Sequence, residues 1–248
     1  MIYVLIGMSI LFVAIGFIVT ENNAKYLLSG YNTMREEEQK KVNIKAFIPY
    51  FRKFHVFLGI SFLVFGLILN YLIDENAGGI FLAVYPILAY IYFISTSSKY
   101  AIGFNTRSNK VGIYILIGTL IFVIGLLGFG LKENKLNINA TAIAFSGSYG
   151  ETLTPSEIQS IELVNQLPKI TFKTNGLALG KVKKGYFKTG TGEIVTLILN
   201  ADNKPYILVT KSDGEKIYFS AKQTSNTSLL EEMKKALPAI KYKQQSIQ

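Results

Sequence analysis

The chain has 248 residues, no cysteine, one histidine, and a formal net charge of +10 from 26 Lys and Arg against 16 Asp and Glu. Without cysteine there are no disulfides, thiolate metal sites or thiol nucleophiles, and a single histidine makes neither a metal site nor a proton shuttle. The basic excess comes without an arginine-rich tract or an aromatic RNA-binding motif, so it points to membrane topology and anionic lipid and not to nucleic acid.

Four uncharged apolar runs fall before residue 132: Ile2 to Thr20, Val56 to Ile73, Gly79 to Ser95 and Val111 to Leu131. The last reaches about 31 Å as a helix, enough to cross a hydrocarbon core of ~30 Å. The spacing predicts four spans over residues 1–131, followed by a separate polar domain over 132–248. The first run has no basic residue before it and no A-x-A-like pattern after it, so it reads as a span and not as a signal peptide. Asp74 to Gly78 is short enough to make an antiparallel hairpin of the second and third spans. None of the four runs contains Asp, Glu, Lys, Arg or His, which argues against a proton-coupled transporter.

Lys25, Arg35, Lys40, Lys41, Lys45, Arg52, Lys53, Lys99, Arg107 and Lys110 lie in the two loops on one side, and only Lys132 and Lys135 lie near the span ends on the other. By the positive-inside rule the basic loops are cytoplasmic and the C-terminal domain is extracytoplasmic. Within the first loop, Thr33 and Glu36 have capping-box spacing ahead of a charged helix. Ile44, Phe47, Ile48, Phe51 and Phe54 then make an amphipathic interfacial helix, which Pro49 is expected to bend or break. His55, at the mouth of the second span, reads as a membrane-interface residue. Gly59 and Gly66, and Gly118 and Gly125, each lie on one helix face and suit close helix packing.

After Leu131 the pattern changes to period two with turn punctuation. Strands are expected at Leu136 to Phe145, Ile158 to Val164, Lys169 to Lys173, Leu177 to Lys181, Tyr186 to Lys188, Glu193 to Leu199, Tyr206 to Lys211 and Glu215 to Ser220, about seven in the finished sheet. Turns are expected at Ser146 to Gly150, Asn175-Gly176, Gly190-Thr191-Gly192 and Asp213-Gly214. A terminal helix follows from Ser228 and Glu231 at capping-box spacing, with Leu230, Met233 and Leu237 on one face and Pro238 at its end.

This domain offers little for chemistry. Gly180 and Gly185 have phosphate-loop spacing, but Tyr186 and Phe187 stand where that motif needs Lys and Ser or Thr. Glu157 and Glu162, five apart, fall on opposite faces of a strand and make a poor acid/base pair. Asn139 and Asn226 head N-x-S/T triplets, which matter only in a eukaryotic secretory pathway. No catalytic residue, metal site or cofactor is expected. The candidate binding surface is Lys181, Lys183, Lys184 and Lys188 interleaved with Tyr186 and Phe187. It suits anionic headgroups or a protein partner, and it also reads as the solvated decoration of a sheet.

Two resemblances add to this. Asn23-Ala24-Lys25-Tyr26-Leu27-Leu28-Ser29-Gly30-Tyr31-Asn32-Thr33, followed by charged residues and a span, resembles a small bacterial membrane domain of unknown function. Tyr149-Gly150-Glu151, Leu167-Pro168, Thr174-Asn175-Gly176, Gly180 and Gly185-Tyr186-Phe187 resemble bacterial pleckstrin-homology-like domains. The second resemblance implies a seven-stranded bent sheet closed by a C-terminal helix, acting as a binding or scaffolding module without catalytic residues. Ser146 to Glu151 contains no basic residue, which argues against phosphoinositide recognition. The expectation is a multi-pass protein of the bacterial cytoplasmic membrane, not an enzyme, contacting the bilayer and a protein partner. The alternatives are a transporter or its accessory subunit, or a membrane enzyme built around the Glu21 to His55 loop.

Overall fold

A computed structural model describes residues 1–28, 31–100 and 106–243, without the side chains of 98 and 106–109. The chain forms two compact units, Met1–Leu127 and Gly128–Gln248. The last turn of the fourth apolar helix thus groups with the C-terminal unit, four residues before the boundary expected from composition.

The N-terminal unit is helical: α1 (Ile2–Ile18), two single turns α2 (Ala24–Leu27) and α3 (Glu36–Gln39), α4 (Ile44–Ile68) running into a π turn (Leu69–Ile73), α5 (Glu75–Ser97) and α6 (Thr106–Leu131). Among the described residues three stretches are long and apolar enough to cross a membrane, Ile44–Ile73, Glu75–Ser97 and Lys110–Leu131. At 17 residues α1 is shorter, about 26 Å at ~1.5 Å per residue.

The glycines of α4 explain why α1 packs where it does. A Cβ at Gly59 would lie 2.7 Å from the carbonyl oxygen of Ser9, and one at Gly66 would lie 2.3 Å from the Leu5 side chain. The Ser9 hydroxyl, free to reach the bared backbone, donates to Gly59 O at 2.8 Å. Since Leu5 meets Gly66 and Gly16 meets His55, the two helices run antiparallel. Gly118 and Gly125 differ from expectation, because nothing stands within 4 Å of a Cβ at either. No residue of the apolar window of α6 is buried.

Three boundaries in this unit also differ. The interfacial helix and the second span are one helix, since α4 starts at Ile44 and passes through Pro49. Proline so near the start removes a single hydrogen bond, and the Asn43 side chain secures that start by accepting from Ala46 N at 3.1 Å. The link between α4 and α5 is Asp74 alone, because the π turn and the first turn of α5 absorb the rest. Finally, α3 is capped by Arg35 and not by Thr33, with the Arg35 guanidinium donating to Glu38 at 3.2 Å. Ser29, Gly30 and Arg107 of the expected loops lie outside the described residues or side chains.

The C-terminal unit has nine strands among the described residues. A small antiparallel sheet contains β1 (Leu136–Ile138), β2 (Ile143–Phe145) and β3 (Thr152–Leu153). A six-stranded sheet contains β4 (Ile158–Val164), β5 (Ile170–Leu179), β6 (Val182–Thr189), β7 (Ile194–Leu199), β8 (Tyr206–Lys211) and β9 (Lys216–Ser220), in the order β4-β8-β9-β7-β6-β5. Its ladders are antiparallel except β7 with β9, which is parallel. The helix α7 (Asn226–Ala236) follows.

The single strand expected over Leu136 to Phe145 is a hairpin. Asn139 turns the chain by accepting from Thr141 N at 2.9 Å and Ala142 N at 2.8 Å. The turn expected at Asn175-Gly176 is strand interior, with Asn175 opposite Tyr186 and Gly176 opposite Gly185, and the chain reverses at Gly180-Lys181. The turns at Gly190 to Gly192 and Asp213-Gly214 stand as expected. The count rises from seven strands to nine, in two sheets instead of one.

Six residue steps join Val164, at the end of edge strand β4, to Ile170, at the start of edge strand β5. They reach at most ~22 Å, whereas the edges of a flat six-stranded sheet lie ~24 Å apart. The sheet is therefore curled. Its central strands read as continuous apolar runs because both faces are buried. Ile198, Ile207, Val209, Ile217 and Phe219 point to the face covered by α7 and the small sheet. Leu197, Leu199, Tyr206, Leu208 and Tyr218 fill the other face with Phe187 and Val195.

Leu229, Leu230, Met233 and Leu237 carry α7 into the first of these cores. The helix is capped at Ser225, three residues before the expected Ser228 cap. Asn226 is buried there, donating to the carbonyl oxygens of Asn203 and Pro205 and accepting from Ala221 N. Beyond the helix the tail lies along β4, with Ile161 N donating to Lys241 O and Lys243 N to Ile161 O. One edge of the sheet is thus covered, and β5 forms the other.

Candidate functional site

The six residues singled out for binding all lie on or beside β6, and the strand's period of two divides them. Lys184, Tyr186 and Lys188 share one face with Val182, while Lys183 and Phe187 share the other. Phe187 is buried in the second core. Lys184 is also buried, and its ammonium donates to the carbonyl oxygen of Lys132. Loss of solvent pushes its pKa down to about 8, against the opposing pull of the nearby Glu133 carboxylate. Lys181, Lys183, Tyr186 and Lys188 keep surface exposure.

Side chains paired across a sheet point to the same side, which brings in two residues that periodicity alone did not single out. Phe172 of β5 pairs with Lys188, and Lys188 with Ile194 of β7. They form a row across three strands, with Phe172 65% and Ile194 53% exposed. Tyr186 lies on the same face, one pair along, and is 44% exposed. Tyr149, held at a φ of +60° in the turn after β2, places its ring edge-on to Tyr186 with centroids 5.4 Å apart. Its hydroxyl donates to Asn175 Oδ1 at 3.0 Å. The result is an exposed aromatic and aliphatic patch with Lys188 between its apolar members. Phe172 was legible as a strand residue, but its exposure depends on where α7 and the small sheet stop covering the face.

His55 lies inside the helical unit. It is buried beside Phe51, Phe54, Tyr90 and Phe93. Its Nδ1 lies 2.8 Å from Phe51 O, which only accepts, so Nδ1 carries the proton. Its Nε2 lies 3.2 Å from the Tyr90 hydroxyl. A second polar pair, Ser61 Oγ and the Tyr85 hydroxyl at 2.7 Å, sits farther along α4 and α5.

Several acidic residues of the C-terminal unit are occupied locally. Glu157 closes a capping box with Thr154 around a short 3-10 turn, Pro155–Glu157, and those hydrogen bonds hold its carboxyl below the usual range. Glu162 accepts from Lys243 at 3.2 Å. Lys211 gathers Glu151, Asp213 and Glu215 at 3.3, 3.7 and 2.7 Å, and its pKa is raised, chiefly by the hydrogen bond to Glu215. Among the described residues no group of three or more His, Asp or Glu is placed to hold a metal ion.

A family model described as a domain of unknown function (DUF3784) matches residues 6–101, the region from α1 to the end of α5. The match includes the loop around Tyr31 and, with the three apolar helices, is that of a membrane protein of unknown function. No curated protein and no solved structure matches the chain.

Proposed function

We propose that the chain is a four-span protein of the bacterial cytoplasmic membrane that displays its C-terminal sheet domain, outside the cytoplasm, as a pleckstrin-homology-like module for protein contacts in envelope assembly or sensing. The observation that carries this reading is the patch of Tyr149, Phe172, Tyr186 and Ile194 around Lys188. Large exposed aromatics with a basic residue among them are what protein interfaces use as anchors. The curled sheet and its capping helix agree with the module's general form. The ten-to-two bias of Lys and Arg in the loops and around the helix ends supports the orientation.

The test is to purify the intact chain in mild detergent and identify what comes with it. A partner that is retained by the native chain and lost on Phe172→Ala with Tyr186→Ala, at unchanged melting, supports the reading. An identical set of partners for both overturns the patch as the contact. Orientation is read by placing Ser212→Cys or Lys41→Cys in a chain with no native cysteine and labelling intact cells with an impermeant thiol reagent. Labelling at 41 without labelling at 212 inverts the topology.

A second reading, a transporter or accessory subunit, is favoured by the His55–Tyr90 pair buried among apolar helices, because buried polar pairs in spans mark pathways. Substrate flux in proteoliposomes that disappears on His55→Ala would place this reading first.

A further inference from the structure

The β5–β6 hairpin is fastened to the end of α6 by one rung of its ladder. Leu177 and Lys184 are directly paired across the two strands. A Cβ at Gly130, in the last turn of α6, would stand 2.8 Å from Cδ2 of Leu177, so Leu177 packs against bare helix backbone. The ammonium of Lys184 donates to the carbonyl oxygen of Lys132, one residue beyond the helix end. From this rung only the pairs Ala178–Lys183 and Leu179–Val182 remain before the chain reverses at Gly180-Lys181. At ~3.4 Å per residue the tip is within about 10 Å of the rung.

The apolar run of α6 ends at Leu131 and is followed by Lys132, so this end of the helix marks the edge of the hydrocarbon. The headgroup layer outside it is about 5–7 Å deep, and screening at physiological salt acts over ~8 Å. A tip tied so closely to the helix end is within reach of that layer. It carries Lys181, exposed, and Lys183, partly exposed, together with Ala178, exposed and paired with Lys183, and Leu179, partly exposed. Lys132 and Lys135 add positive charge at the same end of the unit.

We propose that the tip of the β5–β6 hairpin is a membrane-surface anchor: Lys181 and Lys183 engage the phosphates of anionic lipids while Ala178 and Leu179 sit against the headgroup boundary. The anchor holds the domain to the bilayer by a contact additional to its covalent tether. It leaves the patch around Lys188, farther along the hairpin, for a protein partner. The proposal rests on α6 crossing a membrane, as the preceding reading has it.

The experiment uses the full-length chain in nanodiscs, either of phosphatidylcholine alone or with phosphatidylglycerol added. A spin label is placed at Ala178→Cys or, separately, at Ile121→Cys in the middle of α6, and its collisions with a water-soluble nickel complex and with oxygen are compared. The expected result is that the label at 178 is shielded from the nickel complex several-fold more in the anionic discs than in the neutral ones. The shielding should disappear when Lys181→Glu and Lys183→Glu are added, with the fold checked by circular dichroism. Equal nickel accessibility at 178 in both lipids, with 121 protected, overturns the anchor and leaves the span intact. Free access of nickel to 121 overturns the span and the anchor with it. The comparison between lipids needs no charge-reversed variant, so failure of that variant to fold does not remove the test.

Discussion

Gly176 of β5 and Gly185 of β6 face each other as a directly paired rung, at φ of +136° and +133°. A Cβ on Gly176 would come within 2.1 Å of Lys184 O, and one on Gly185 within 2.1 Å of Asn175 O. Both strands pass through a conformation that L side chains rarely adopt, at a separation that only two bare backbones allow. The rung lies immediately beside the pair Leu177 and Lys184. It thus sets the course of the hairpin between its attachment to α6 and the patch around Lys188.

Gly185→Ala is therefore expected to destabilise the C-terminal unit by roughly 3 kcal/mol or more, combining a backbone clash with an unfavourable φ. Chemical denaturation of the fragment 132–248 measures it. A change within experimental error would show that the strands can separate at no cost.

Lys184 makes stability depend on pH in a particular direction. In the unfolded chain its ammonium keeps its proton up to the ordinary lysine value of about 10.5, while in the folded chain the buried amine releases it at about 8. Between these values the unfolded state binds more protons, so stability rises with pH. The penalty for burying the charge is fully present below pH 8. Lys184→Met is expected to leave stability at pH 7 unchanged or higher and to flatten the rise between pH 8 and 9.5. Denaturant midpoints across that range for both chains provide the comparison, and parallel curves would dissociate the rise from Lys184.

The terminal helix is a structural cap. Met233 is fully buried and Leu237 is 3% exposed, and the Tyr242 hydroxyl donates to the carbonyl oxygens of both residues. Truncation of either side chain to alanine should cost roughly 2–5 kcal/mol. A mobile partner-binding tail would instead leave the melting of the fragment 132–248 unaltered by Met233→Ala and Leu237→Ala.

The same fragment should unfold cooperatively, with a midpoint indifferent to chelator and to reductant. It contains neither His nor Cys, and its two apolar cores supply burial on both faces of the sheet. A midpoint lowered by chelator would expose a carboxylate metal site as part of the fold.

Local chemistry was enough for many elements of this protein. Uncharged runs bounded by charge predict the apolar helices, the apolar run from Tyr206 to Val209 predicts β8, Asp213-Gly214 predicts its hairpin, and Leu230, Met233 and Leu237 predict the buried stripe of α7. These features depend on a residue and its near neighbours, which is why they were legible. Asn175-Gly176 misled because the dipeptide suits a turn and a tight crossing of two strands equally, and its true partner, Gly185, is nine residues away. Lys184 and Lys188 are indistinguishable in sequence, yet one is buried against a helix-end carbonyl and the other is exposed. His55 likewise became a core residue only when α1 came close enough for Gly16 to meet it. The parallel pairing of β7 with β9, the curl of the six-stranded sheet and the row from Phe172 to Ile194 were decided by the tertiary structure, because each depends on which distant strand lies alongside and where the covering helix stops.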